Sequence, residues 1–179
     1  MYKKIKGVKV TTNNKVSELQ FTKDSGKIIY RDKIDTLIGI KHPGIILGTD
    51  NEGTTWVVHN HYKIGYPAIE TLNSFSAGVK VFYDDRPVSY DREMIVDRAI
   101  DSWHRKEQYH WLFNNCQHYV TGVAQGKPKS ETLNRIGNNL IVIGLGIGSV
   151  GAARKKKPVL HFGIVIAGLG LLLKLLSNL

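Results

Sequence analysis

Cysteine chemistry needs a thiolate, a base that forms it and a group that orients the base. The chain has one cysteine, Cys116, set in Asn114-Asn115-Cys116-Gln117-His118. These residues read as a helix start, where unpaired backbone N–H groups and the helix dipole favour an anion and lower a thiol's pKa. A lone cysteine is more often a small buried hydrophobe, and here the polar neighbours weigh against that. His42 stands just before the apolar run Gly44-Ile45-Ile46-Leu47-Gly48, and His59 ends the run Thr55-Trp56-Val57-Val58-His59. Paired as a hairpin, the two runs bring both histidines to one end of a sheet. One imidazole can then approach the thiol while the other fixes its tautomer. His61 is an alternative to His59, because residues two apart share a face of an extended segment. His118 reads as a packing or capping residue one turn from Cys116, and His104 and His110 as surface or helix-end residues. A metal site on His59 and His61 lacks an acidic or further histidine ligand at matching spacing, so neither metal nor cofactor is expected.

The elements that must hold these residues are short strands followed by helices. Runs at 8–12, 19–22 and 27–30 alternate with turn chemistry at Asn13-Asn14 and Ser25-Gly26, and 79–83 is a further strand. A helix over 91–108, capped by Ser89 or Asp91, places Met94, Ile95, Ala99, Ile100 and Trp103 in one apolar stripe. A second helix runs from about Asn115 to before Gly126 and Pro128, with Val120, Val123 and Ala124 inward. After a polar linker at 127–139 come two apolar, glycine-rich stretches, 140–153 and 159–173, separated by Arg154, Lys155, Lys156, Lys157 and Pro158. Crossing a bilayer core takes roughly 20 apolar residues. The second stretch approaches that length if Lys174 snorkels, and the first is short. Neither stretch has the polar face a soluble surface helix would show. Gly144 and Gly148, four residues apart, allow close helix approach and a route to oligomers.

The net charge of +10 calls for an anionic partner. No helix-turn-helix, zinc-finger or RNA-binding motif accompanies it, and the strongest basic run adjoins apolar sequence. A membrane is therefore expected rather than nucleic acid. A single cysteine excludes an intramolecular disulfide and fits a reducing compartment. The N-terminus has no apolar core of signal-peptide length.

Three segments together resemble a known family: His42-Pro43-Gly44-Ile45-Ile46-Leu47-Gly48, Trp56-Val57-Val58-His59-Asn60 and Asn115-Cys116-Gln117-His118-Tyr119-Val120. They are similar to the lecithin:retinol acyltransferase family, which includes the HRAS-like suppressor phospholipases and acyltransferases, circularly permuted relatives of NlpC-type and papain-like enzymes. The resemblance covers about residues 34–126. It implies an α+β fold: a permuted papain-like (NlpC-type) domain with a small antiparallel sheet packed on helices, plus a C-terminal apolar helical tail. The expected organisation is an N-terminal β-rich extension at 1–33, the catalytic domain at 34–126, the linker at 127–139 and a membrane-associated tail at 140–179. The resemblance also implies roles: Cys116 as nucleophile, His42 as general base and His59 as the residue that orients it. It further implies a phospholipid or other acyl-lipid substrate and an acyl-thioester intermediate. The basic run, by the positive-inside rule and with a first apolar half that does not span, puts the expected catalytic domain in the cytoplasm. Pro43 departs from the aromatic residue that often follows the first histidine, and Gln117 stands where Glu is common. With the basic run splitting the tail, the first apolar half is expected to lie in the interface or against the domain, and the second to act as a tail anchor. The competing functions are a cysteine amidase or peptidase of the NlpC type and a non-enzymatic membrane-active protein.

Overall fold

The run that follows His42 becomes the central strand of the sheet. The computed structural model describes residues 3–12, 15–32, 40–86 and 88–178. The Asn13-Asn14 turn and positions 34–39 lie outside the described residues. The described elements are β1 (Lys4–Thr12), β2 (Lys15–Gln20), β3 (Ile28–Asp32), β4 (Lys41–Thr49), β5 (Thr55–His61), β6 (Tyr66–Thr71), α1 (Leu72–Ser76), β7 (Val81–Tyr83), α2 (Arg92–Arg105), α3 (Cys116–Gln125), α4 (Glu131–Ala153) and α5 (Lys157–Leu176). All strand pairs are antiparallel: β4 bonds to β2, β3 and β5, while β1 extends β2, β7 extends β3 and β6 extends β5.

The expected hairpin of β4 and β5 forms with Ile45 opposite Val58. Its turn is built on Asp50, whose Oδ1 accepts from the Glu52 and Thr54 amides and whose Oδ2 accepts from Trp56 Nε1 at 3.0 Å. Alternation then sorts side chains between the two faces of the sheet. Ile45, Leu47 and Val58 join Ile95, Ala99, Ile100, Tyr119, Val120 and Val123 in the main core, so α2 and α3 pack there. Ile46, Val57 and Ile29 meet Phe75 of α1 in a smaller cluster. α2 begins at the Asp91 cap, which accepts from the Met94 amide, and ends at Arg105, short of the expected 108, because Lys106 turns to a left-handed conformation (φ 50°).

Two expected boundaries shift. The strands of the 1–33 segment belong to the same sheet as the histidine strands, since β3 pairs with β4 along its length. Turn chemistry between short strands cannot tell a separate unit from an extra layer of one sheet. The 127–139 segment is helical from Glu131. Ser130 caps α4, its Oγ accepting from the Leu133 amide. The polar residues there mark solvated turns of a helix, not a break in structure.

α4 and α5 form an antiparallel helical hairpin with residues 154–156 at its tip. A Cβ on Gly144 would overlap the backbone of Ala167, and one on Gly163 would overlap the backbone of Gly148. Close backbone approach of this kind needs glycine. The small residues that offered an oligomer contact thus serve packing within the chain. Val142, Leu145, Phe162, Val165 and Leu172 stay exposed on the outside. Both helices, 23 and 20 residues, are long and apolar enough to cross a membrane. The first apolar stretch gains that length from the polar turns that precede it. Taken together, the fold is mixed α+β, with a seven-stranded antiparallel sheet packed on helices and an apolar helical tail.

Candidate active site

His42 and His59 are brought into direct contact. His42 opens β4 and His59 nears the end of β5, and the antiparallel register carries both to the same end of the strand pair. Their side chains share the face that holds Phe75, with ring centroids 5.6 Å from Phe75 for His42 and 5.3 Å for His59. His42 Nε2 lies 2.9 Å from His59 Nδ1, and the residues are 6% and 3% exposed. A hydrogen bond in so dry a setting fixes both rings.

Behind His59 stands a residue the sequence did not single out. Glu70 of β6 places Oε2 3.4 Å from His59 Nε2 and Oε1 3.7 Å from His61 Nε2. The His59 side chain, ahead of the partial burial that opposes it, holds the Glu70 carboxyl below the usual carboxylate range. A proton carried on His59 Nε2 faces this carboxylate. That tautomer leaves the Nδ1 lone pair to accept from His42 Nε2–H, and so leaves the proton-accepting lone pair of His42 on Nδ1. The array Glu70–His59–His42 is thus able to prepare His42 as a base. Glu70 was findable: the tight β5–β6 turn sets Ala68 opposite His59, so Glu70 falls on the same face at the next diagonal position. His61 does not replace His59. It contacts Glu70 from the rim, and burial lowers its pKa, with neighbouring His59 adding to the effect.

Because its folded pKa is depressed, Glu70 contributes stability above the ordinary carboxylate pKa and loses it as pH falls through the depressed value. Glu70→Gln is expected to flatten the acid limb of a melting-temperature profile between about pH 5 and 3. A profile that superimposes on the wild type would show that the His59 contact does not hold the carboxylate.

Cys116 is the first residue of α3, the helix that packs on β4 and β5, and it is 7% exposed. Asn115 caps this helix with its Oδ1, which accepts from the Gln117 and His118 amides at 2.9 and 3.1 Å. Asn60 Nδ2, from β5, donates to the Asn114 carbonyl at 2.8 Å and fastens the approach to the helix. Tyr109, in the aromatic segment ahead of it, donates its amide to the Gly65 carbonyl at 2.7 Å. Burial raises the Tyr109 phenol pKa, and the nearby Cys116 and Tyr62 raise it further. Tyr109 therefore lies within electrostatic reach of Cys116, a neighbour the sequence did not assign. His118 is buried on α3 as expected of a packing residue. His104 Nε2 bonds to the Gly7 carbonyl, and His110 Nδ1 accepts from the Leu112 amide, both at element ends.

A cavity of about 740 Å³ lies between Pro43 of β4 and Gln117 of α3, on the face of β4 opposite to His42. Ile28, Tyr30 and Val120 add apolar walls, and Lys41, Arg86, Lys129, Asp84, Asp85 and Glu131 bring charge. Among the described residues no cluster of three or more His, Cys, Asp or Glu could hold a metal ion. No protein-family model matches the chain and no curated protein does either, so the side chains themselves must carry the functional argument.

Proposed function

We propose that the chain is a cysteine-nucleophile acyl hydrolase or acyltransferase that acts on a lipid ester at a membrane surface. The observation that carries this reading is the buried His42–His59 pair, backed by Glu70, at one end of the two strands whose opposite face receives the Cys116 helix. The thiolate at the start of α3 attacks the ester carbonyl, with the backbone N–H of Cys116 facing the developing oxyanion. His42 takes the thiol proton and gives it to the leaving alcohol, so that an acyl-thioester remains. Water or an amine then attacks the thioester, passing its proton back through His42 and restoring the thiol. This is the chemistry expected from the resemblance to the lecithin:retinol acyltransferase family and its permuted papain-like domain. The cavity between Pro43 and Gln117 has apolar walls and charged residues that suit an ester with an apolar chain and a polar head.

The apolar hairpin holds the domain on the membrane. Positions 140–153 give an uninterrupted apolar stretch of 14 residues. That is about 21 Å of helix at 1.5 Å per residue, against a hydrocarbon core of about 30 Å. A hairpin that lies along the interface, rather than crossing the bilayer, brings its basic tip and the domain to the same leaflet. The anionic headgroups of the cytoplasmic leaflet favour that tip, which places the domain in the cytoplasm.

Incubation of the full chain with a phosphatidylcholine substrate, followed by intact-mass measurement after an acid quench, is expected to show one added acyl group on Cys116. An adduct formed only from peptide esters or amides would favour an amidase, and no adduct in either case would remove the enzyme reading. Deleting residues 140–179 is expected to move the protein from the membrane pellet to the supernatant. A full chain that already floats free of vesicles would sink the anchor.

A further inference from the structure

The residues on both sides of Cys116 grip one hydroxyl that belongs to the hairpin. Asn115 Nδ2 donates to Ser130 Oγ at 3.2 Å, and Ser130 Oγ donates to Gln117 Oε1 at 3.1 Å. Gln117 Oε1 also accepts from the Thr132 amide, in the first turn of α4, at 2.9 Å. Ser130 caps α4, and its own amide donates to the Ser177 carbonyl just past the end of α5 at 2.7 Å. Ser130 and Ser177 are both fully buried. One serine thus joins the start of α3, the start of α4 and the end of α5.

His118 extends the same junction. It is 1% exposed, and neither ring nitrogen makes a hydrogen bond among the described residues. Burial lowers its pKa, while the carbonyls of Ser177 and Leu176 act on the ring in the opposite direction. A neutral His118 therefore sits against the end of α5. Of the five residues 114–118 around the sulfur, Asn115, Gln117 and His118 all face the base of the hairpin. The hairpin is in this way more than an anchor hung from the domain. The cap that holds α3 open at its N-terminus, Asn115, is itself oriented by Ser130 and by the Trp111 carbonyl, to which Nδ2 donates at 3.1 Å.

We infer that Ser130 is a positioning residue through which the seated hairpin sets the reactivity of Cys116; this rests on the proposed nucleophilic role of Cys116. The reasoning is local. Thiolate stabilisation at a helix start depends on the alignment of the first N–H groups. Asn115 aligns them by accepting from two of them. Removing the Ser130 hydroxyl leaves Asn115 Nδ2 with the Trp111 carbonyl alone and Gln117 Oε1 with one donor fewer, so the first turn of α3 loosens.

The test is the rate of iodoacetamide alkylation against pH, using the full chain reconstituted in phosphatidylcholine vesicles. Cys116 is the only thiol, so the signal has a single source. The wild type is expected to titrate below the ordinary cysteine value of about 8.5. Ser130→Ala is expected to move that midpoint upward and slow alkylation at pH 7 by about three- to ten-fold, since a pKa shift of one unit changes the thiolate fraction about ten-fold. Ser130→Thr, which keeps the hydroxyl, is expected to restore the wild-type profile. Gln117→Met removes the acceptor at similar volume and is expected to follow Ser130→Ala, which keeps the test open should the alanine variant fail to fold. A depressed wild-type midpoint that neither Ser130→Ala nor Gln117→Met moves overturns the coupling alone. A wild-type midpoint at the ordinary value removes the catalytic reading itself.

Discussion

His42→Ala is expected to slow acyl transfer from a lipid ester by about 10²- to 10⁴-fold, the usual worth of a positioned general base. The same variant is expected to lower thiol labelling of Cys116 at neutral pH while leaving labelling at pH 10 nearly unchanged, because hydroxide then forms the thiolate without help. His42 is 6% exposed, between His59 and Phe75, so truncation also opens a small cavity. His42→Asn retains more of that volume and separates the two effects: it should recover most of the stability and none of the rate. Steady-state kinetics and a thermal melt on each variant check both halves. His59→Ala should cost less than His42→Ala, since it removes the group that orients the base and leaves the base in place. Equal activity in wild type and His42→Ala would show that the histidine pair is structural.

Gly163→Leu is expected to separate α4 from α5. A Cβ at that position overlaps the Gly148 backbone and crowds the Gly144 carbonyl, and backbone cannot give way as a flexible side chain can. Overpacking of a closed interface costs about 1–3 kcal/mol and more where backbone must move. Gly168→Leu is the matched control. It lies on the same helix, but a Cβ there meets nothing within 4 Å. It should change stability by no more than about 0.5 kcal/mol. Thermal unfolding of full-length protein in phosphatidylcholine vesicles, followed by circular dichroism, compares the pair. Similar losses at both positions would mean that the helices do not meet through their glycines. Because Ser130 and Ser177 join the two helices at their base, opening the hairpin should also slow Cys116 alkylation, whereas Gly168→Leu should not.

Much of this arrangement follows from the order of residues. Local propensity and period were enough for the β4–β5 hairpin, for the apolar stripe of α2 and for a helix beginning at Cys116, because each depends on neighbours within one turn or one strand pair. The capping role of Asn115 and the hairpin that brings His42 to His59 are of this kind. That the tail holds two stretches apolar enough for helices that could cross a membrane is also legible, since apolar runs are a property of local composition.

Other features needed the tertiary structure. Glu70 reaches His59 only through the register of a third strand, and Tyr109 comes within electrostatic reach of Cys116 through a loop whose backbone bonds to Gly65 in the β5–β6 turn. Residues 1–33 look like an appendage in sequence because turn chemistry does not say which strands pair: β3 bonds to β4 on one side and to β7, far along the chain, on the other. Ser130 reads only as a polar residue in a linker, and its place between three helix ends exists once α5 returns to the domain. The sequence by itself determined which residue types could do thiol chemistry and which segments are apolar enough to cross a membrane, because both depend on side-chain chemistry and short-range period. Only the fold decided which carboxylate backs the histidines and which serine links the thiol to the hairpin, because those contacts are set by strand register and helix docking across the whole chain.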